Sequence, residues 1–234
     1  MTIILAHRGA HAYLRENTLE AFQAAIELGA DGIELDVRAT ADGALAVHHD
    51  PELKGLGSIA SLRAASLPEW LPLLDEVLER CGDAVVNVEI KRSPFEAGFD
   101  ARETLAAAVA SCIVAWGRRG GRLENLVVSS FSLATVDAVR AGAELETALL
   151  IGGASDPLLE LDRAAEHGHA GLHPAELLVS AELVGTAHGL GMAVRPWTVD
   201  DPARVAELVA LDVDAIVTND VATAIEVPRL AASS

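Results

Sequence analysis

The chain has 234 residues, with 17 Lys+Arg against 35 Asp+Glu and a formal net charge of −18. Hydrophobic residues make up 51% and charged residues 22%, which excludes a disordered chain and suits one that buries a core. So strong a negative balance argues against nucleic acid or an anionic membrane surface as partner, because each phosphate contact wants a cation, although a local basic pocket stays possible.

No run reaches the roughly 18 apolar residues of a membrane span, and the opening MTIILAHRGA lacks the basic flank and cleavage site of a signal peptide. The expectation is a cytoplasmic protein without stable membrane insertion. Cys81 and Cys112 fall in helix-like stretches with no metal-ligand spacing, so no disulfide framework is indicated. Lys54 and Lys91 are the only two lysines, which draws attention to both.

Strand-length apolar runs alternate with helix-period segments along the chain. A strand over 2–6 runs into His7-Arg8-Gly9, and a helix over 18–28 follows, with Asn17 or Thr18 as cap and Gly29 as stop. A strand over 32–38 leads to Asp42-Gly43, a hairpin signal, and to an extra strand over 44–49. Then come strands over 84–91, 126–130, 147–151, 170–173, 192–198 and 215–218. Helices are read over 102–116, 133–141, 181–188 and 203–209, the last opened by Asp201-Pro202. With the hairpin counted in the second unit there are eight β/α units of about 29 residues, and such a unit takes about 30. Residues 1–234 are therefore read as one domain, a (β/α)8 TIM barrel with a small hairpin insertion after strand 2. The rival, an open doubly wound sheet, normally carries a G-x-G-x-x-G turn after its first strand, and none is present.

Barrel chemistry sits at the C-terminal ends of the strands. Those ends read His7-Arg8-Gly9, Glu34-Leu35-Asp36, His49-Asp50, Glu89-Ile90-Lys91, Ser129-Ser130-Phe131, His173, Trp197-Thr198 and Thr218-Asn219. Side chains alternate along a strand, so Glu34 and Asp36 share a face while Ile33, Leu35 and Val37 take the other. Helix packing claims the aliphatic face, which leaves the carboxylates inside the barrel. Glu89 and Lys91 share a face in the same way. Three inward carboxylates in one low-dielectric mouth repel unless a cation joins them. Oxygen donors without thiolates suit Mg²⁺ or Ca²⁺.

Each motif alone has a plain structural reading: E-x-D as a solvated strand end, E-x-K as a surface ion pair, His7 or His49 as a structural histidine. Their coincidence at one end of three adjacent strands carries the functional reading. Glu16, in the first loop HRGAHAYLRENT, stands where it could orient His7 or touch a substrate. Trp197 reads either as a barrel-top aromatic or as a contact for the organic part of a substrate, and His173 could touch substrate too. His48 faces away from His49 and reads as structural, the direction of His11 is open, and His167 and His169 read as surface residues at a helix end.

The order HRG, ENT, E-x-D, V-x-H-D, E-x-K, S-S-F, L-H-P and W-T-V, running from His7 to Asn219, resembles the glycerophosphodiester phosphodiesterase family. The resemblance implies a metal-dependent TIM barrel that hydrolyses glycerophosphodiesters to sn-glycerol 3-phosphate and an alcohol. It implies Glu34, Asp36 and Glu89 as ligands of one divalent cation, His7 and His49 as the acid–base pair, and Arg8 and Lys91 on the phosphate. The chain departs from the family's pattern at Arg15, where a proline usually precedes ENT, and in a shortened stretch after His49-Asp50. Asp200 stands where an Asn usually follows W-T-V, and Asn219 where an Asp is common. Two alternatives stay open: a lysophospholipase D-type phosphodiesterase on the same barrel, for which 3% aromatics give no sign of a lipid-docking patch, and a non-catalytic barrel that binds phosphoryl ligands. An amidohydrolase-type barrel would want H-x-H on the first strand, and AHRGAH does not supply it.

Overall fold

Runs rich in Val, Ile and Leu that carry apolar side chains on both faces form parallel strands covered by helices. The computed structural model describes residues 2–96, 99 and 101–231; Met1, Ala97, Gly98, Asp100 and residues 232–234 of the expected 1–234 domain lie outside the described residues. In chain order the elements are β1 (Ile3–His7), α1 (Leu19–Glu27), β2 (Gly32–Ala39), β3 (Leu45–Val47), β4 (Glu52–Leu53), β5 (Gly57–Ser58), α2 (Leu74–Cys81), β6 (Val85–Ile90), α3 (Thr104–Arg118) and β7 (Leu126–Ser130). They continue as α4 (Leu133–Gly142), β8 (Glu146–Ile151), α5 (Pro157–Glu166), β9 (Gly171–Pro174), α6 (Ala181–Gly189), β10 (Ala193–Val194), α7 (Pro202–Ala210), β11 (Ala215–Thr218) and α8 (Val221–Ala231).

Eight strands pair in parallel in the order β11-β1-β2-β6-β7-β8-β9-β10. The remaining seam is bridged by Asp214 N donating to Val194 O at 3.0 Å and Val217 N donating to Pro196 O at 2.9 Å. The expected (β/α)8 barrel is thus found, nearly closed. β3 lies outside the ring, antiparallel on β2 with Val47 opposite Val37, as Asp42-Gly43 predicts. The strand expected over 192–198 contracts to Ala193–Val194, because Pro196 has no N–H to give a ladder. The segment still follows β9, through Arg195 N to Leu172 O and Trp197 N to Pro174 O.

The two faces of β2 explain the layering. Ile33, Leu35 and Val37 are fully buried in the core that also takes Phe22 and Ala25 of α1 and Val77 and Leu78 of α2. Burial of one such aliphatic side chain contributes about 1.5–3 kcal/mol. Inside the ring, Leu5, Ala215 and Val217 form a separate apolar cluster with Ile3, Val85 and Trp197 beside it. The lower interior is therefore apolar, and polar groups collect above it.

Local signals set the helix ends. Thr18 is the cap of α1, its Oγ1 accepting from Ala21 N at 3.2 Å, while Asn17 takes a left-handed φ of 55° and turns away to other work. Asp156 and Asp201 cap α5 and α7, each followed by a proline in the first turn. After β2 the chain makes an insertion over residues 40–73 with its own small core of Ala46, Leu53, Ile59 and Leu71. The β4–β5 ribbon within it has two-residue strands, too short to show a period in the sequence.

One surface expectation is corrected here. His167 is exposed, but His169 is buried at 3%. α5 ends in a Schellman turn: Gly168 N donates to Ala165 O, and His169 N donates to Ala164 O. Gly168 supplies the positive φ of 76°. The residue after that glycine folds back onto its own helix, which points His169 inward.

Candidate active site

Glu34, Asp36 and Glu89 meet at the C-terminal ends of β2 and β6, which are paired with Asp36 opposite Glu89. All three are buried, and one carboxylate oxygen from each lies within 4.8 Å of the others. Glu34 Oε1 and Asp36 Oδ1 are buried without a hydrogen-bond partner. Burial, and then the charges of Asp36 and Glu89, push the Glu34 carboxyl well above the usual range. Burial alone would raise Asp36 too, but Lys91 and Arg8 outweigh it and hold that group below its ordinary value. Glu89 is raised by burial against the pull of Lys91. An acidic trio with an unpartnered inward oxygen on Glu34 and no thiolate fits a hard divalent cation.

Two cations flank the trio. Lys91 Nζ lies 2.8 Å from Glu89 Oε1 and 3.2 Å from Asp36 Oδ1. Arg8 Nε lies 3.3 Å from Asp36 Oδ2 and its Nη1 3.1 Å from Glu16 Oε2. Burial would depress both cations, but the carboxylates around them outweigh it and raise both above their ordinary values, so both are charged. Glu16 therefore braces Arg8 and does not reach His7. Asn17 explains its departure from the helix cap: its Nδ2 donates to Asp36 Oδ2 at 2.8 Å, and Asp36 N donates to its Oδ1 at 3.3 Å.

The two imidazoles approach from different elements. His7 ends β1 and lies 3.9 Å, Nε2 to Oε2, from Glu34. Its Nδ1 is 2.6 Å from Asn219 Oδ1. Asn219 Nδ2 donates to Asp200 Oδ2 at 2.7 Å, and Asn219 N donates to Asp200 Oδ1 at 2.8 Å. With the amide nitrogen so engaged, Oδ1 accepts from His7, which fixes the proton on Nδ1 and leaves Nε2 toward the acidic trio. Burial, and next the charge of Arg8, lower the His7 pKa to about 4. His49 is brought in by the β2–β3 hairpin, since β3 runs back down beside β2 and His48 N donates to Asp36 O at 2.9 Å. Its Nδ1 is 2.8 Å from Asp50 Oδ1, and burial followed by Lys91 lowers its pKa.

The structure brings together all the sequence-derived site residues and adds others. His11 lies edge-on to His7, with ring centroids 5.9 Å apart, and its Nε2 is 2.6 Å from Asn219 Oδ1. His173 is fully buried and lines the floor of the pocket with His7, Asn87 and Trp197. Trp197 donates from Nε1 to His173 O at 2.9 Å and stands edge-on to Phe131 at 5.4 Å. His48 stays outside the site, its Nδ1 2.9 Å from Asp50 O and its ring beside Trp70, as expected of a structural residue. Asn17, Asp50, Asp200 and Asn219 are further members of the site that the sequence does not single out, because each acts through another side chain, Asp36, His49 or His7. The one signal for the last two was their departure from the family's pattern. In this chain the two positions that depart from the family's pattern are in contact, joined by two hydrogen bonds.

An acidic trio that could hold a metal ion, with two imidazoles and two cations beside it at the mouth of a barrel, suits the chemistry of a phosphoric diester hydrolase. The comparisons agree. The model of the Glycerophosphoryl diester phosphodiesterase family matches residues 7–223. A glycerophosphodiester phosphodiesterase of Caldanaerobacter subterraneus is 32% identical over 97% of this chain and 98% of its own. One from Bacillus altitudinis is 31% identical over 94% and 95%. The crystal structure of the enzyme from Thermotoga maritima superposes with a TM-score of 0.78 at 28% identity, covering 97% of this chain and 98% of that one. A phosphodiesterase of Oleispira antarctica, solved in complex with the product sn-glycerol-3-phosphate, shares the fold at a TM-score of 0.79 and 22% identity, over 100% and 98%. The chain belongs to the glycerophosphoryl diester phosphodiesterase family.

Proposed function

We propose that the protein hydrolyses glycerophosphodiesters to sn-glycerol 3-phosphate and an alcohol, with His7 and His49 dividing the acid and base roles. The observation that carries this reading is the buried trio of Glu34, Asp36 and Glu89, with ligand oxygens within 4.8 Å, set between two charged cations and two oriented imidazoles. The family is divalent-metal dependent, and these three carboxylates would hold one Mg²⁺ or Ca²⁺. That ion supplies neutralisation of the phosphoryl oxygens as charge develops. Charge counting supports it: the trio and Glu16 against Arg8 and Lys91 leave two net negative charges, which one divalent ion cancels. The mouth then no longer repels an anionic diester, in a molecule whose overall charge is −18.

Arg8, braced by Glu16, offers a planar fork to the phosphate, and Lys91 a point charge. Burial lowers the pKa of both imidazoles, which favours the neutral form that serves as base, with Nδ1 held by Asn219 or Asp50. One imidazole, neutral, takes the proton of the attacking oxygen at Nε2; the other acts in its protonated form and gives its Nε2 proton to the leaving alcohol, and exchange with solvent returns both to their starting states. Such a pair contributes on the order of 10²–10⁴-fold per group. Trp197 is read as packing on the glycerol or alcohol part. Residues 1–234 are read as one barrel domain, cytoplasmic, without nucleic acid as partner; no helix among the described residues is long and apolar enough to cross a membrane. A small-molecule diester substrate is consistent with the Oleispira neighbour, which holds sn-glycerol-3-phosphate.

The test is a panel of glycerophosphocholine, glycerophosphoethanolamine and glycerophosphoglycerol, with EDTA and with Mg²⁺ or Ca²⁺ restored. Turnover abolished by EDTA and rescued by either ion is expected. A folded sample inert toward every diester with every divalent ion would support the binding-only barrel instead. The lysophospholipase D-type reading has one observation in its favour. Three of the four phenylalanines, Phe95, Phe99 and Phe131, are exposed on the loops after β6 and β7, and Tyr13 and Leu14 are exposed after β1. Few as the aromatics are, the fold gathers them beside the mouth, where an acyl chain would need apolar surface. Faster hydrolysis of lysophosphatidylcholine than of glycerophosphocholine would favour it.

A further inference from the structure

At the opposite end of the barrel, α4 and the turn between α5 and β9 bring together Asp137, His167 and His169. One ligand atom from each lies within 4.8 Å of the others. His167 Nδ1 is 2.9 Å from Asp137 Oδ2, and His169 Nε2 is 3.2 Å from Asp137 Oδ1. The two imidazoles lie nearly parallel, 18° apart.

His169 makes this more than a surface ion pair. Its side chain is fully buried, at a turn position that usually carries an apolar residue. Its Nδ1 is 2.8 Å from the buried Thr147 Oγ1. Its Nε2 is buried and aimed at Asp137 Oδ1, 3.2 Å away, with no well-aligned hydrogen bond to satisfy it. A bound ion would take the Nε2 lone pair beside Asp137, with Nδ1–H then given to the Thr147 hydroxyl, the arrangement of a metal ligand with its supporting partner.

We propose that Asp137, His167 and His169 form a second metal site, separate from the catalytic mouth and suited to a first-row transition ion such as Zn²⁺. Two imidazoles and one carboxylate select such an ion over Mg²⁺ and Ca²⁺, which prefer the all-oxygen trio at the other end. His167 and Asp137 are partly exposed, so solvent completes the coordination. The ion ties α4 to the α5–β9 turn and so clamps two consecutive β/α units from outside. Arg140, whose guanidinium packs over Gly168, is the nearest opposing charge and holds the affinity below what the three ligands alone would give.

The test is a Zn²⁺ titration by calorimetry of the protein already saturated with Ca²⁺, repeated with Co²⁺ while the visible absorption of a low-coordinate ion is followed. Wild type is expected to take up one equivalent and to gain several degrees in Tm. His167→Ala and Asp137→Asn are expected to bind at least tenfold more weakly, with unchanged diester turnover. His167 is exposed, so its variant folds even if a His169→Ala variant does not. Zn²⁺ uptake equal in wild type and His167→Ala would assign the ion to the catalytic trio and overturn the proposal, as would no uptake by wild type at all.

Discussion

Asn219 is held from one side by Asp200 and holds His7 on the other, and that chain decides what His7 can do. An amide oxygen stabilises an imidazolium less than a carboxylate would, and burial is left to dominate, which takes the His7 pKa to about 4. Asn219→Asp combined with Asp200→Asn restores the hydrogen bond in the reverse sense and sets a carboxylate on Nδ1. The expected outcome is that the limb of the kcat/KM pH profile governed by His7 moves to higher pH, while Tm is kept within a few degrees. His7→Ala and His49→Ala are each expected to lower kcat by about 10²–10⁴-fold, with an unchanged circular dichroism spectrum. Near-wild-type turnover in both single variants would remove the pair from the chemistry. Glu34, Asp36, Glu89, Arg8, Lys91 and the two histidines could be read from the sequence because each lies in or just after a strand whose alternation or turn signal is local. Asn17 could not, since its place beside Asp36 depends on a left-handed turn that only the fold fixes.

At the level of elements, the β1–α1 turn and the β2–β3 hairpin deliver the two histidines, and each turns on a glycine. Gly9 has a φ of 81°, and a Cβ there would stand 2.7 Å from the backbone of Ala21 in α1. Gly43 has the same φ of 81°, with nothing within 4 Å. The left-handed backbone costs an ordinary residue about 1–2 kcal/mol, and a backbone collision adds to it. Gly43→Ala is therefore expected to lose about 1 kcal/mol in urea unfolding and to keep its activity. Gly9→Ala is expected to lose several-fold more stability and also kcat, because α1 must move and takes the His7-Arg8 turn with it. Equal losses would show that the close approach of α1 does not matter. The hairpin itself was legible from Asp42-Gly43, whereas the β4–β5 ribbon and the inward turn of His169 were not, for both depend on packing rather than on period.

For the whole molecule, three buried carboxylates with only Arg8 and Lys91 to offset them leave Glu34 and Glu89 as a cost in folding, and a divalent ion that binds only the native state reduces it. Linkage gives about 2.7 kcal/mol at a hundredfold excess over Kd. For a chain of this size each kcal/mol shifts Tm by about 2–4 °C, so saturation with Ca²⁺ or Mg²⁺ is expected to raise Tm by about 5–10 °C, reversed by EDTA. Scanning calorimetry of wild type and of Asp36→Asn checks this: the variant is expected to lose most of the response. Glu34 and Glu89 have raised pKa values, so protons compete with the ion there. The stabilisation by metal is therefore expected to fall as pH drops, beginning above the range where ordinary carboxylates titrate.

The sequence by itself determined the eight β/α units, the inward face of Glu34, Asp36 and Glu89, and the hairpin that carries His49, because strand period, turn chemistry and chain length are local or additive properties. It also carried enough ordered motifs to reveal the family. Only the tertiary structure decided that Asp200 and Asn219 are hydrogen-bonded to each other, that Glu16 serves Arg8 and not His7, that three of the four phenylalanines flank the mouth, and that His169 is buried against Asp137. Each of those depends on which strands and loops come to lie side by side when the sheet closes into a ring, and residues as far apart in the chain as Asp200 and Asn219 or Asp137 and His169 have no local pattern that records it.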